Sequence, residues 1–156
     1  MTGGGSSIAE VQALLRVLGA GRDVAELGTA FGDGAAALAE TARSVVTVER
    51  DPDRAAIARE RLAGCTNVDA LEGNAYELLQ GRGPFGLVFA DGGAYDWERI
   101  VELLEPGGLL VKDDLAPGRP PDGDPAREFL LRDPRLAAVE LLTTARSAAI
   151  VAVRLR

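Results

Sequence analysis

The sequence predicts a single α/β domain in which a mostly parallel sheet carries helices on both faces. Three observations support this fold class. Apolar, β-branched segments alternate with segments of helical periodicity, which is typical of repeated strand–helix units. The last two apolar segments follow each other with no helix between them, which favours an antiparallel pair. The length of 156 residues fits one domain spanning 1–156, in which we expect residues 1–6 to be flexible.

The first half of the chain alternates three helices with three strands. Apolar residues at three-to-four spacing predict a helix over 7–18, which a pair of glycines ends. Asp51 and Pro52 supply an N-cap and a first-turn proline for a helix over 51–62. The other predicted elements are strands over 23–27, 44–49 and 68–73 and a helix over 34–42.

The second half continues the alternation and then closes with two strands. A buried strand is predicted over 85–91, and Trp97 opens a helical face that favours a place for it in the core. The segment "EPGG" is predicted to end that helix. Asp124 and Pro125 repeat the cap-and-proline start for a helix over 125–132. The other predicted elements are a short helix over 75–80 and strands over 109–113, 136–142 and 147–155.

Composition excludes several classes of site. The net charge of −7 makes nucleic acid an unfavourable main partner. The chain has no histidine and one cysteine, Cys65, which excludes histidine-based triads and the usual zinc sites. No apolar run approaches the roughly 18 residues of a membrane span, and no signal peptide opens the chain, so we expect no membrane association and a cytoplasmic protein.

A glycine-rich turn follows the first predicted strand in the segment "AELGTAFGDG". In parallel sheets of this kind, ligands bind at the carboxyl ends of the strands, and glycine lets the backbone approach them closely. The spacing of Gly28, Gly32 and Gly34 does not fit the dinucleotide pattern G-x-G-x-x-G. Glu26 and Asp33 flank the turn with negative charge, which opposes a pyrophosphate and favours a cationic ligand.

A second acid, Glu49, ends the next strand, where a carboxylate can accept both hydroxyls of a ribose. The pattern therefore favours a nucleoside that carries positive charge and no phosphate. S-adenosylmethionine, with its sulfonium and ammonium groups, meets both conditions. The alternative is that Glu26 and Glu49 are strand ends that only face solvent.

Over nearly its whole length the chain resembles the class I S-adenosylmethionine-dependent methyltransferases. The similarity lies in "AELGTAFGDG", "VVTVERDP", "LEGNAYELL", "GLVFADG" and "LLEPGGLLVKDD". Within that class it looks most like the catechol and caffeoyl-CoA type O-methyltransferases. The resemblance implies a Rossmann-like, seven-stranded, mostly parallel sheet of order 3-2-1-4-5-7-6 with the last strand antiparallel. It also implies methyl transfer to a hydroxyl of a small-molecule acceptor.

The same resemblance implies a role for each residue that matches the family's motifs. Glu26, Gly28 and Thr29 would hold the methionine end of the cofactor, with Ala30 and Gly32 in the same turn. Glu49 would bind the ribose, and Asp91 would face the amino group. The adenine would lie beside Arg50, Asn74 and Ala75. The first helix and the residues before it, from Ser7, are expected to cover the cofactor.

Asp91, Asp113 and Asp114 end two neighbouring strands, and their carboxylates suit a hard cation such as Mg²⁺ or Ca²⁺. In the resembled family the third ligand is an asparagine. The alternative is a pair of acids at a solvated strand end.

The family's general-base lysine falls on Ala94, which cannot do that chemistry. Tyr95 is a possible substitute, and Lys112 lies on the neighbouring strand. The predicted catalytic residues are therefore Asp91, Asp113 and Tyr95.

Three further interpretations stay open at this point. The chain can bind the cofactor with little transferase activity, since it lacks the family lysine. It can methylate RNA if Arg119, Arg127, Arg132 and Arg135 form a local basic patch. A homodimer is also left open by the sequence.

Overall fold

The computed structural model describes residues 6–91, 93 and 95–156. Its strands are β1 (Asp23–Leu27), β2 (Ser44–Glu49), β3 (Val68–Glu72), β4 (Phe85–Ala90), β5 (Leu104–Leu115), β6 (Leu136–Thr144) and β7 (Ser147–Arg154). Its helices are α1 (Ala9–Gly19), α2 (Asp33–Ala39), α3 (Pro52–Leu62), α4 (Ala75–Leu78), α5 (Trp97–Leu103) and α6 (Pro125–Arg132).

One seven-stranded sheet runs in the order β3-β2-β1-β4-β5-β7-β6. Strand β7 is antiparallel to β5 and to β6, and the pairs from β3 to β5 are parallel. Both the predicted strand order and the antiparallel last strand are confirmed. The carboxyl ends of β1, β2, β4 and β5 consequently meet at one edge of the sheet.

Two apolar layers, one on each face of the sheet, confirm the predicted helix–sheet–helix arrangement. On one face the helical residues Val11, Leu15 and Leu38 are buried, and on the other Trp97, Ile100 and Leu130 are buried. Strand β4 lies between both layers, and all six of its residues are buried. This pattern is typical of a central parallel strand covered on both faces.

The predicted helix starts form as expected. The Asp51 side chain accepts hydrogen bonds of 3.0 Å from the backbone N–H groups of Asp53 and Arg54. Asp124 caps α6 by accepting from the backbone N–H of Arg127 at 3.2 Å. These caps satisfy donors that the first turn of a helix leaves open.

Strand β5 begins earlier than predicted. The segment "EPGG" was expected to end a helix in a turn, but Leu104 already pairs with Phe85, and the register shifts before Leu109. Gly107 has φ +79°, a left-handed conformation that lets the strand bulge and then resume. In the described part of the chain, no helix is long and apolar enough to cross a membrane.

Candidate functional site

The glycine turn is fixed by backbone contacts between strand ends. The N–H of Gly28 donates to the carbonyl of Val48 at 2.9 Å, and the N–H of Asp91 donates to that of Leu27 at 3.0 Å. Gly28 has φ +93°, and a Cβ there would lie 2.7 Å from the carbonyl oxygen of Asp91. Glycine is therefore required at this position both by backbone conformation and by the approach of β4.

Glu26 lies directly beneath this turn and is fully buried, at 0 % exposure. Its Oε2 accepts from the Thr47 hydroxyl at 2.5 Å, and Thr47 shares a hydrogen bond of 2.6 Å with Thr29. Among the described residues, its Oε1 has no hydrogen-bond partner. Burial raises the pKa of Glu26 well above its usual range, and the charges of Asp91, Asp113 and Glu49 raise it further. The alternative of a solvated strand end is wrong for Glu26.

Glu49 is also buried, and it connects the turn to the next helix. Its Oε2 accepts from the N–H of Ala30 at 2.8 Å, and its Oε1 accepts from the N–H of Asp51 at 3.0 Å. Ala30 is held in a left-handed conformation, with φ 49°. Each carboxylate oxygen has further acceptor capacity, so this bracing is compatible with the predicted contact to a ribose.

A cavity of about 200 Å³ brings together five of the ten predicted cofactor residues. We call it the Asn74 cavity; its walls include Gly28, Glu49, Arg50, Asn74, Ala75, Tyr76 and Tyr95. The Asn74 side chain accepts from the N–H of Tyr76 at 2.9 Å and so caps α4. The other five do not line it. Glu26 lies beneath the turn, the N–H of Ala30 binds Glu49, and Asp91 lines a second cavity. Thr29 is buried against Thr47, and Gly32 lies near the backbone of Ala58 on α3.

A second cavity, of about 190 Å³, contains the three aspartates. We call it the Asp113 cavity; its walls include Ser7, Asp91, Asp113, Asp114, Thr143 and Ser147. Ser6, Ser7 and Ile8, which precede α1, also line it, and that this segment covers the cofactor stays a prediction. Burial raises the pKa of Asp91 to about 8, and the charges of Asp113 and Asp114 add to the shift.

The predicted metal site is not supported by this arrangement. Asp113 is buried at 4 % exposure, whereas Asp114, with φ 61°, is exposed. No group of three or more acidic, histidine or cysteine side chains in the described part of the chain is placed to hold a metal ion. The three carboxylates share a cavity without converging on one point, so no chemistry is assigned to a metal here.

Tyr95 lies at the junction of β1 and β4, and its geometry does not favour the predicted role as a general base. Its hydroxyl lies 2.9 Å from the carbonyl oxygen of Leu27 and 2.7 Å from that of Asp91. Burial raises the pKa of Tyr95, with the charge of Asp91 as the next cause, so the phenol keeps its proton. Tyr95 joins two strand ends. Ala94, where the family lysine was expected, lies outside the described residues.

A third cavity, of about 340 Å³, also has Tyr95 in its wall. We call it the Lys112 cavity; its walls include Tyr95, Trp97, Lys112, Asp114, Leu115 and Ala126. Lys112 is buried, at 5 % exposure, and its ammonium donates to the carbonyl of Asp113 at 2.5 Å. Burial lowers the pKa of Lys112, and the neighbouring carboxylates oppose that shift. Lys112 was not among the predicted site residues, although a lysine within an apolar strand was a signal for one.

Trp97 is buried at 8 % exposure and packs on Tyr95 with 5.4 Å between ring centroids, so its predicted place in the core is confirmed. Its ring also forms part of the wall of the Lys112 cavity.

Three of the four arginines considered for RNA binding form ion pairs with acids. Arg127 is buried, and Glu140 and Asp124 bind it at 2.7 and 2.6 Å. Arg132 pairs with Asp122, and Arg135 pairs with both Glu98 and Asp133. Three of the four positive charges are thus matched, which removes the support for a basic patch.

Comparisons with known proteins find similarity to methyltransferases. Residues 25–115 match the family model of a methyltransferase domain. The chain is similar to the protein-L-isoaspartate O-methyltransferase of Rhodopseudomonas palustris (strain BisB5), with 35% identity over 118 residues, 74% of this chain and 51% of the relative. The chain thus spans about half the length of that curated relative. The name of this relative differs from the catechol and caffeoyl-CoA group, so membership of that group stays a prediction.

Solved structures share the fold. Cofactor-bound Rv0187 from MTB is 27% identical with a TM-score of 0.77, covering 96% of this chain and 81% of its own. The O-methyltransferase TomG from Streptomyces achromogenes, solved in complex with SAM, has a TM-score of 0.77 at 24% identity, covering 97% of this chain and 82% of its own. The family model spans the glycine turn, Glu26, Glu49 and strand β5. The chain therefore belongs to the methyltransferase domain family.

Proposed function

We propose that this protein is an S-adenosylmethionine-dependent methyltransferase that methylates an oxygen of a small-molecule acceptor. The observation that carries the proposal is Glu26, a fully buried carboxyl group whose Oε1 has no partner among the described residues. A buried acceptor left unpaired costs about 1–3 kcal/mol, which a donor on a ligand recovers. The ammonium group of S-adenosylmethionine is such a donor.

The charges around the turn favour a cationic ligand. Asp91, Asp113 and Glu49 each raise the pKa of Glu26, so these acids act on one another. Two unit charges 4 Å apart repel by about 1 kcal/mol in water and about 4 kcal/mol near a protein surface. A sulfonium or ammonium group relieves this repulsion, whereas the pyrophosphate of a dinucleotide would increase it.

The Asn74 cavity supplies what an adenosine needs. Glu49 is held rigidly by two backbone N–H groups, which orients its remaining acceptor capacity toward a ribose. Asn74 and Ala75 stand at the start of α4, where an adenine edge is expected. When bound, S-adenosylmethionine supplies a methyl group on positively charged sulfur. The protein's contribution is to hold the acceptor oxygen in line with that carbon and to exclude water.

Carboxyl methylation of a protein is the second candidate. The sequence similarity to protein-L-isoaspartate O-methyltransferases supports it, over 74% of this chain. A carboxylate acceptor is already ionised and needs no general base, which suits a chain whose family lysine falls on Ala94. The Lys112 cavity, of about 340 Å³ with aromatic walls, favours a small acceptor instead.

An acceptor survey with methyl-labelled S-adenosylmethionine tests the proposal. We expect label in small phenolic or carboxylic acceptors, and no label in transfer RNA. Label in an isoaspartyl peptide alone would favour the second candidate, and label in RNA alone would contradict both. Each reaction is run with Mg²⁺ and with chelator, because the predicted metal requirement of Asp91, Asp113 and Asp114 is not otherwise tested. Cofactor binding without transfer to any class would favour a binding protein.

A further inference from the structure

The Lys112 cavity contains a positively charged side chain that has no assigned contact with the cofactor. Lys112 is the only lysine in the chain, and it lies at the carboxyl end of β5 with 5 % of its surface exposed. An ammonium has three donors, and the described hydrogen bond to the Asp113 carbonyl occupies one. The cavity therefore presents a cation with further donors beside an empty volume of about 340 Å³.

The walls of this cavity suit a flat ring. Tyr95 and Trp97 pack on each other with a tilt of 59° and both face the cavity, and Leu115 adds an apolar side chain. Tyr95 also lines the Asn74 cavity, so a ligand against Tyr95 lies next to the expected cofactor. Aromatic walls with few polar groups are typical of pockets for small ligands.

The charges at the rim determine where an anion can sit. Asp124 is bound by the Arg127 guanidinium at 2.6 Å and is therefore already matched. Asp114 is exposed and repels an anion from the rim. A negatively charged oxygen consequently finds its favourable position at the Lys112 ammonium, with the rest of the ligand against Tyr95 and Trp97.

We propose that the acceptor is a small aromatic oxyanion, a phenolate or an aromatic carboxylate, and that Lys112 holds its nucleophilic oxygen for methyl transfer. This inference rests on the proposed methyltransferase function. The acceptor oxygen forms the bond to the methyl carbon, the carbon–sulfur bond breaks, and its electron pair stays on the sulfur of S-adenosylhomocysteine. Because the acceptor binds as an anion, no proton is transferred in this step. Ala94 occupies the position of the family's general-base lysine. Lys112, on a different strand, has a different role, because it holds the acceptor oxygen and does not remove a proton from it.

The test uses 4-nitrophenol, whose phenolate absorbs visible light and whose neutral form does not. The full-length protein, saturated with S-adenosylhomocysteine, is titrated into the probe at a pH where half of it is ionised. We expect binding to raise the phenolate absorbance with the wild-type chain. Lys112→Met should bind at least tenfold more weakly and give no rise, whereas Lys112→Arg should retain part of the rise.

Two further variants separate this role from a structural one. Arg82→Met removes a cation that is paired with Asp69, remote from the cavity, and should leave the rise unchanged. Ala126→Phe fills the cavity from α6 without changing a charge and should abolish probe binding.

Calorimetry with S-adenosylhomocysteine is run on every variant, and affinity should stay within twofold for Lys112→Met. Retained cofactor affinity also shows that this variant is folded. Failure of the wild-type chain to bind the cofactor would contradict the proposed function itself. Cofactor binding without any probe binding, or an unchanged absorbance rise in Lys112→Met, would overturn only the present inference.

Discussion

Replacing Glu26 with glutamine should separate cofactor binding from stability. Burial and neighbouring acids raise the pKa of Glu26 well above its usual range, which favours the uncharged carboxyl in the free protein. Glutamine is also neutral, has nearly the same shape, and can still accept from Thr47. We therefore expect Glu26→Gln to change the free energy of unfolding by less than about 1 kcal/mol, since neither side chain carries a buried charge.

Cofactor binding, unlike stability, should be strongly weakened by Glu26→Gln. A hydrogen bond to a charged group contributes about 1.5–3 kcal/mol. Loss of that contribution weakens S-adenosylmethionine binding by about 10- to 150-fold, at 1.4 kcal/mol per factor of ten. We also expect binding of the ammonium to release a proton from Glu26, which the variant cannot release.

Calorimetry in two buffers of different ionisation enthalpy measures affinity and proton release together, and thermal melting measures stability. Thr47→Val is the matched control, because it removes the hydroxyl that donates to Glu26 at 2.5 Å and keeps the carboxyl group. We expect this control to lose stability by about 0.5–1.5 kcal/mol and to keep most of its affinity. If Glu26→Gln binds within twofold of the wild-type chain and melts much lower, Glu26 has a structural role only.

Three other predictions concern the same strand ends. Gly28→Ala should destabilise the protein by about 1–3 kcal/mol, because its φ is +93° and the new Cβ would meet the Asp91 carbonyl; Gly81→Ala, at φ +76° with open space around it, should lose less in the same melting experiment. Glu49→Ala should weaken cofactor binding by about 1.5–3 kcal/mol in calorimetry, and an unchanged affinity would remove the ribose role. Because the pKa of Asp91 is raised from 3.8 to about 8, the folded state binds the proton more tightly than the unfolded state. Its contribution to stability is therefore fully present below the unfolded pKa and is lost as pH rises through about 8, with a slope of at most about 1.4 kcal/mol per pH unit. Melting temperatures measured between the unfolded pKa of 3.8 and the folded pKa of about 8 should fall as the pH rises, and Asp91→Asn should flatten this dependence on pH. A wild-type dependence as flat as that of the variant would contradict the raised pKa.

Local signals predicted most of the elements. Strand β2 and helix α6 have the predicted bounds, because β-branched runs and an Asp–Pro start act within a few residues. The early start of β5 was missed, since "EPGG" has the composition of a turn and only its pairing with Phe85 makes it a strand. The order of the strands came from the family resemblance, because pairing between distant segments leaves little trace in one sequence.

The candidate site was predicted in part for the same reason. Glu26 lies near the end of β1, Glu49 ends β2 and Asn74 follows β3, each in a recognisable motif. In the structure Glu26 lies beneath the glycine turn, and Glu49 and Asn74 line one cavity. The Lys112 cavity is formed by β5, α5 and the start of α6, which only the fold brings together. The burial of Arg127 between Asp124 and Glu140 also depends on contacts across the chain that local patterns do not reveal.

The central claim is that the turn after β1 binds a cationic nucleoside, and a direct comparison of cofactors tests it. Isothermal titration of the full-length protein with S-adenosylmethionine and with NAD, under identical conditions, measures both affinities. We expect S-adenosylmethionine to bind in the micromolar range and NAD to show no binding, because the acids around Glu26 favour positive charge and oppose a pyrophosphate. Tight binding of NAD with no binding of S-adenosylmethionine would contradict the account.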